Sequence, residues 1–249
     1  MIRASGLFGA LEGADVAWDD AGRPRSVRFG DGYFGSENAV AESCHVFLEG
    51  SALAARLAAP RSGAFVVGEL GFGTGLNFLL TWRAFRAAAT PGRLHFLSID
   101  RHPLPAAALE RALAPFAECA REARDLIAAL PPPVAGVHRR VFDGGRVVLD
   151  LYWADVADAL EELASPGGPR VDAWYLDGFA PSRNPDMWNA ELFHLLACAS
   201  RDGASVATYS AAGAVRRGLA DAGFCVRRRP GYGSKRESLH GYFTTRPAR

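Results

Sequence analysis

From position 64 onward, short apolar runs alternate with stretches whose apolar residues recur every three or four positions. This alternation predicts a parallel sheet with helices on both faces. Predicted strands cover residues 65–70, 94–99, 171–176, 204–209, 224–228 and 239–243. Between the first two, residues 76–89 put Leu76, Leu79, Leu80 and Trp82 on one helical face, and Pro91-Gly92 stops the helix. A further run at 147–153 pairs with 137–142 through Asp143-Gly144-Gly145, and residues 156–163 are helical. The last two strands are joined by a loop too short for a crossover helix, so they must pair antiparallel.

Before position 61 the pattern changes. Residues 14–18 and 26–29, joined across Asp19-Asp20-Ala21-Gly22, suggest a hairpin, and 36–59 has the spacing and polar start of one or two helices. The expected organisation is an N-terminal extension over 1–60 and a Rossmann-like domain over 61–249. The fold class is α/β: a doubly wound, mostly parallel sheet that ends in an antiparallel hairpin, the arrangement of class I methyltransferases.

The glycine turn carries the first chemistry. In Glu69-Leu70-Gly71-Phe72-Gly73-Thr74-Gly75-Leu76-Asn77, a buried strand ends and three alternate glycines let the backbone approach a ligand before a helix begins. The spacing is G-x-G-x-G, and Glu69 stands two positions before the first glycine. A carboxylate there would repel the diphosphate of a dinucleotide. It suits the cationic amino-acid end of S-adenosylmethionine, reached directly or through water. Asp100 ends the next strand about 25 residues later, where nucleotide-binding α/β proteins place the carboxylate for ribose hydroxyls; capping a helix is its alternative role. Asp155 follows the 147–153 strand, where it can accept the adenine amino group or cap the helix that it opens.

The segment Asp177-Gly178-Phe179-Ala180-Pro181-Ser182-Arg183-Asn184-Pro185-Asp186-Met187-Trp188 is the most specific. A strand delivers Asp177 to the carboxyl edge of the sheet, and two prolines stiffen the loop that follows. Phe179 and Trp188 offer stacking surfaces for a base, or serve as core packing.

Composition narrows the picture further. At 249 residues and 49% hydrophobic, the chain can bury one large core. Neither a secretory leader nor an apolar run of the roughly 18 residues that a membrane helix needs is visible, so a soluble, cytoplasmic protein is expected. Cys44, Cys119, Cys198 and Cys225 form no C-x-x-C pair and the six histidines have no ligand spacing, so reduced thiols and no metal are expected. The net charge of +1 excludes little, because one basic face suffices for nucleic acid. Arg216-Arg217, Arg227-Arg228-Arg229 and Lys235-Arg236 gather in the last fifth of the chain, either as a solvated face or as a surface for phosphates.

Together, the glycine turn extended to Phe78 and the Asp177–Trp188 segment resemble the methyltransferase module of the MnmC family. Further matching stretches are Tyr33-Phe34 with Glu42, Val46-Phe47-Leu48, Val215-Arg216-Arg217-Gly218-Leu219 and Gly231-Tyr232-Gly233-Ser234-Lys235-Arg236-Glu237. The resemblance implies S-adenosylmethionine-dependent N-methylation of 5-aminomethyl-2-thiouridine at the tRNA wobble position. It implies a cofactor site at Glu69, Gly71, Gly73, Thr74, Gly75, Asn77, Asp100, Asp155 and Asp177, with Asp177 also catalytic. Phe179, Trp188, Arg216, Arg217, Lys235 and Arg236 would meet the tRNA. Many members carry a second, flavin-dependent domain, for which 249 residues leave no room, so no flavin is expected. Two rival readings remain: a small-molecule methyltransferase or polyamine aminopropyltransferase of this fold, and a non-catalytic tRNA-binding protein.

Overall fold

Strand β4 (Ala64–Leu70) is apolar apart from Glu69 because the sheet buries both of its faces. In the computed structural model, which describes residues 11–233 and 235–245, β4 lies inside an eight-stranded sheet. Its parallel neighbours are β5 (Arg93–Asp100) and β8 (Val171–Leu176). Outside β5 come β7 (Val147–Trp153), parallel to it, and β6 (Gly136–Phe142), antiparallel to β7. Outside β8 come β9 (Ser200–Thr208), then β11 (Glu237–Phe243) and β10 (Phe224–Pro230), the last two forming the expected antiparallel hairpin. Strand β9 starts four residues earlier than its pattern suggests. Its first turn of chain, Arg201-Asp202-Gly203, is polar and exposed beside a register shift against β8, so no apolar run marks it.

Side chains alternate across β4. Phe65 and Val67 join one core with Phe78, Leu79 and Trp82 of α3 (Leu76–Ala87) and with residues of α4 (Ala106–Leu113) and α5 (Ala120–Ala128). Val66 and Leu70 join a second core under α6 (Val156–Ala164), α7 (Ala190–Ala199) and α8 (Gly213–Asp221). At Gly68 the sheet has no room for a side chain: a Cβ there would lie 2.4 Å from the ring of Trp174, its partner on β8.

The N-terminal segment shares the first core. Helix α1 (Ala39–Ser43) is capped by Asn38, whose side chain accepts from Ala41 N at 3.0 Å, and it runs through a π-turn (Cys44–Glu49) towards α2 (Leu53–Ala58). Phe47, Leu53 and Leu57 pack among Phe65 and Phe78, so the described part of residues 1–60 is built onto the sheet. The small sheet differs from the expected hairpin. Its strands are β1 (Val16–Trp18), β2 (Pro24–Ser26) and β3 (Asp31–Gly32), all antiparallel. Residues 27–30 form a turn closed by Gly30 N donating to Ser26 O at 2.9 Å, with Gly30 at φ +60°. Phe29 therefore leaves the strand and stacks on Phe179, with ring centres 4.7 Å apart. An apolar residue followed by a glycine turn looks like a strand end in one dimension.

Candidate active site

The carboxyl ends of β4, β5, β7 and β8 open onto a cleft of about 1210 Å³, roofed by the small sheet and α1. That exceeds the few hundred to roughly 1,000 Å³ of a typical single-ligand pocket, so there is room for a donor and an acceptor together.

The glycine turn and the Asp177 loop form its floor. Asp177 N donates to Leu70 O at 3.0 Å, and Gly71 N donates to Ile99 O at 2.8 Å. Gly71 has φ +93°, and a Cβ on it would lie 2.7 Å from the Asp177 carbonyl oxygen. Only glycine allows this approach of the two chain segments. Gly73 takes a backbone bond to Asp100 and lies under the Tyr33 ring, while Gly75 begins α3 in the left-handed region. Thr74 and Asn77 line the cleft beside them.

Asn77 connects two acids. Its Nδ2 donates to Glu69 Oε1 at 3.0 Å and to Asp177 Oδ2 at 2.6 Å, while its buried Oδ1 has no hydrogen-bond partner. Such an orphaned acceptor is costly unless a ligand supplies a donor, and the ammonium of an amino-acid group would. Here the structure corrects the expectation that Glu69 itself meets the ligand. Glu69 is 1% exposed, does not line the cleft, and spends its carboxylate on Asn77 and on Ser98 Oγ at 2.6 Å. The physical reason is strand alternation: position 69 points to the same face as Phe65 and Val67, beneath α3. Burial pushes the Glu69 carboxyl well above the carboxylate range, with the negative charge of Asp177 adding to the shift.

Asp177 is raised to about 7, chiefly by desolvation and further by Glu42; the Asn77 hydrogen bond and the Lys235 charge oppose the rise. Asp100 lines the cleft and accepts from Gly73 N at 3.0 Å and His102 N at 2.8 Å; desolvation raises it. Asp155 also lines the cleft. It caps α6 by accepting from Ala157 N at 3.0 Å and pairs with Arg101 at 3.0 Å, so its capping role is realised.

Among the residues expected to meet tRNA, Phe179 lines the cleft between Phe29 and the edge of Tyr33. Trp188 does not line it. The indole donates to Phe179 O at 3.0 Å and packs with the second core, so it supports the loop from behind and is not a stacking surface. Arg216, Arg217 and Arg236 are exposed and lie off the cleft, whereas Lys235 leaves that group altogether. Its ammonium sits in the cleft, 2.9 Å from Glu42 Oε1 and 4.0 Å from the centre of the Tyr209 ring. Sequence neighbours on a tight hairpin loop face different ways, which separates Lys235 from Arg236.

Glu42, Tyr33, Asp31 and Tyr209 line the site without having been assigned a role from the sequence. Tyr209 follows the last residue of parallel strand β9, a position at which ligand-facing side chains are expected, and this signal could have found it. Its hydroxyl donates to Gly178 O and is pushed far up by burial and by Asp177. Burial, with the charge of Asp100, likewise holds the Tyr33 hydroxyl above the usual range. Asp31 Oδ2 accepts from Ala180 N at 3.2 Å and ties the roof to the Asp177 loop.

A doubly wound sheet with a glycine turn, an acid at the end of β5 and an acid at the end of β8 defines a class I methyltransferase. Residues 117–244 match the model of an S-adenosyl-L-methionine-dependent methyltransferase family, and the chain belongs to that family. It is 47% identical over 236 residues to the tRNA 5-methylaminomethyl-2-thiouridine biosynthesis bifunctional protein MnmC of Aeromonas hydrophila, covering 93% of this chain and 36% of that protein. The protein of the same description from Chromobacterium violaceum is 49% identical over 236 residues, covering 94% and 35%. The resemblance to the MnmC family is therefore borne out, and the chain spans about a third of the length of these relatives. The crystal structure of MNMC2 from Aquifex aeolicus has the same fold, with a TM-score of 0.71 at 20% identity over 95% of this chain and 72% of that one. Among the described residues, no helix is long and apolar enough to cross a membrane.

Proposed function

We propose that the protein transfers a methyl group from S-adenosylmethionine to the amine of 5-aminomethyl-(2-thio)uridine at the wobble position of tRNA, in the cytoplasm. The observation that carries this reading is the meeting of the glycine turn with Asp177 on one cleft floor, Gly71 against the Asp177 backbone and Asn77 against its carboxylate. The substrate is inferred from the names of relatives that are 47–49% identical to the chain over 236 aligned residues.

When bound, S-adenosylmethionine supplies an electrophilic methyl carbon that takes the amine lone pair while the carbon–sulfur pair returns to sulfur. Gly71, Gly73, Thr74 and Gly75 would hold it, Asn77 Oδ1 would accept from its amino group, and Asp100 and Asp155 would serve its ribose and adenine. Glu69 acts one layer behind by holding Asn77. Asp177, raised to about 7, accepts a hydrogen bond from the acceptor amine and stabilises the charge that develops on nitrogen. Phe179 supports the base, with Trp188 behind it. The exposed Arg216, Arg217 and Arg236 meet tRNA phosphates, so affinity falls steeply with salt.

Incubation with labelled S-adenosylmethionine and tRNA bearing 5-aminomethyl-2-thiouridine tests the proposal. Nucleoside mass analysis is expected to find 5-methylaminomethyl-2-thiouridine. Binding of the donor without label in tRNA would favour a small-molecule acceptor.

A further inference from the structure

Three acids, Glu42 on α1, Asp31 on β3 and Asp177 after β8, line the cleft together, with Glu69 below Asn77 and Asp100 further along the floor. Such a corner favours a protonated amine, and an ammonium has no lone pair with which to attack carbon. Lys235 is the side chain that opposes this. Its ammonium is fixed by Glu42 at 2.9 Å and by the Tyr209 ring at 4.0 Å. The β10–β11 loop that carries it is turned by Lys235 N donating to Tyr232 O at 3.1 Å. That loop is clasped to the π-turn after α1 by His45 Nε2 against Pro230 O at 2.9 Å and by Arg229 donating to His45 O at 3.0 Å. The pair also fits against bare backbone: a Cβ on Gly35 would lie 2.4 Å from Lys235 Nζ and 2.7 Å from Glu42 Oε1.

Resting on the methyl-transfer reading above, we propose that Lys235 is an electrostatic positioning residue: its fixed charge disfavours a second cation in this corner, so the acceptor amine is held neutral and nucleophilic. The same charge favours ionised Asp177, the partner of that amine. Lys235 thus acts inside the site and not on a tRNA phosphate.

The test is single-turnover methylation of tRNA bearing the aminomethyl uridine between pH 6 and 9.5, with wild type, Lys235→Met, Lys235→Arg and Gly35→Ala. Lys235→Met and Gly35→Ala are expected to move the acidic limb up by about one unit, a roughly tenfold lower rate near pH 6.5 that is regained by pH 9, while Lys235→Arg keeps the limb. Equal loss at every pH, or an unmoved limb, overturns the proposal. Should Lys235→Met fail to fold, as read by thermal melting and donor binding, Gly35→Ala carries the decision, because it displaces the Lys235–Glu42 pair while keeping both charges. A wild type that moves no methyl to this RNA sinks the methyl-transfer reading and the role of Lys235 with it. A working wild type whose variants keep its profile sinks the role of Lys235 alone.

Discussion

Asn77 donates to the Asp177 carboxylate at 2.6 Å across 100 residues of chain, and the same amide nitrogen also reaches Glu69. One side chain thereby bridges the buried Glu69 and the half-buried Asp177, which lines the cleft. Asn77→Ala would leave both carboxylates short of a donor. The expected result is a loss of roughly 2–3 kcal/mol in denaturant unfolding and weaker donor binding by calorimetry. Unchanged affinity would remove Asn77 from the cofactor site.

The raised Asp177 sets a pH dependence for binding. A cationic sulfonium favours the ionised carboxylate, so donor binding at pH 6 should release a proton and at pH 8.5 should release almost none. Calorimetry in buffers of different ionisation enthalpy measures this directly. Proton uptake at pH 6 would contradict the assignment.

Stability should change in the opposite sense. A carboxyl whose folded value is raised to about 7 contributes stability below its unfolded value near 4, and that contribution is lost as the pH rises through 7. In the ligand-free protein Asp177→Asn is therefore expected to raise the melting temperature by a few degrees at pH 8 and to have little effect at pH 4. The same variant should lose about 10²- to 10⁴-fold in methyl transfer.

Two glycines three residues apart, Gly68 and Gly71, separate folding from function. At Gly68 an added Cβ meets the Trp174 ring, so Gly68→Ala should lower stability by about 1–3 kcal/mol while the folded fraction binds donor normally. At Gly71 the collision is with the Asp177 backbone, at φ +93°. Gly71→Ala should separate the cleft floor and abolish donor binding. Equal behaviour of the two variants would argue against a special role for the turn.

Much of the sheet was readable in one dimension because burial imposes a pattern. Strands β4, β5 and β8 each hold a mostly apolar run, α3 repeats its apolar residues at helical spacing, and the short β10–β11 loop forces antiparallel pairing. The glycine turn and Asp177 were readable for a related reason: close backbone approach demands glycine, and strand ends at the carboxyl edge face ligands. The resemblance to MnmC proteins rested on those same segments.

What the sequence determined by itself was therefore the succession of strands in the large sheet and the edge of that sheet at which chemistry occurs, because both follow from local periodicity and backbone sterics. Only the tertiary structure decided which side chains share the cleft. Glu69 points beneath α3, Trp188 backs the loop, Phe29 leaves its strand to stack on Phe179, and Lys235 turns from Arg236 towards Glu42. The placements of Phe29 and Lys235 depend on contacts between segments far apart in the chain, which leave no periodic trace along it, and those of Glu69 and Trp188 on which face the packed core covers.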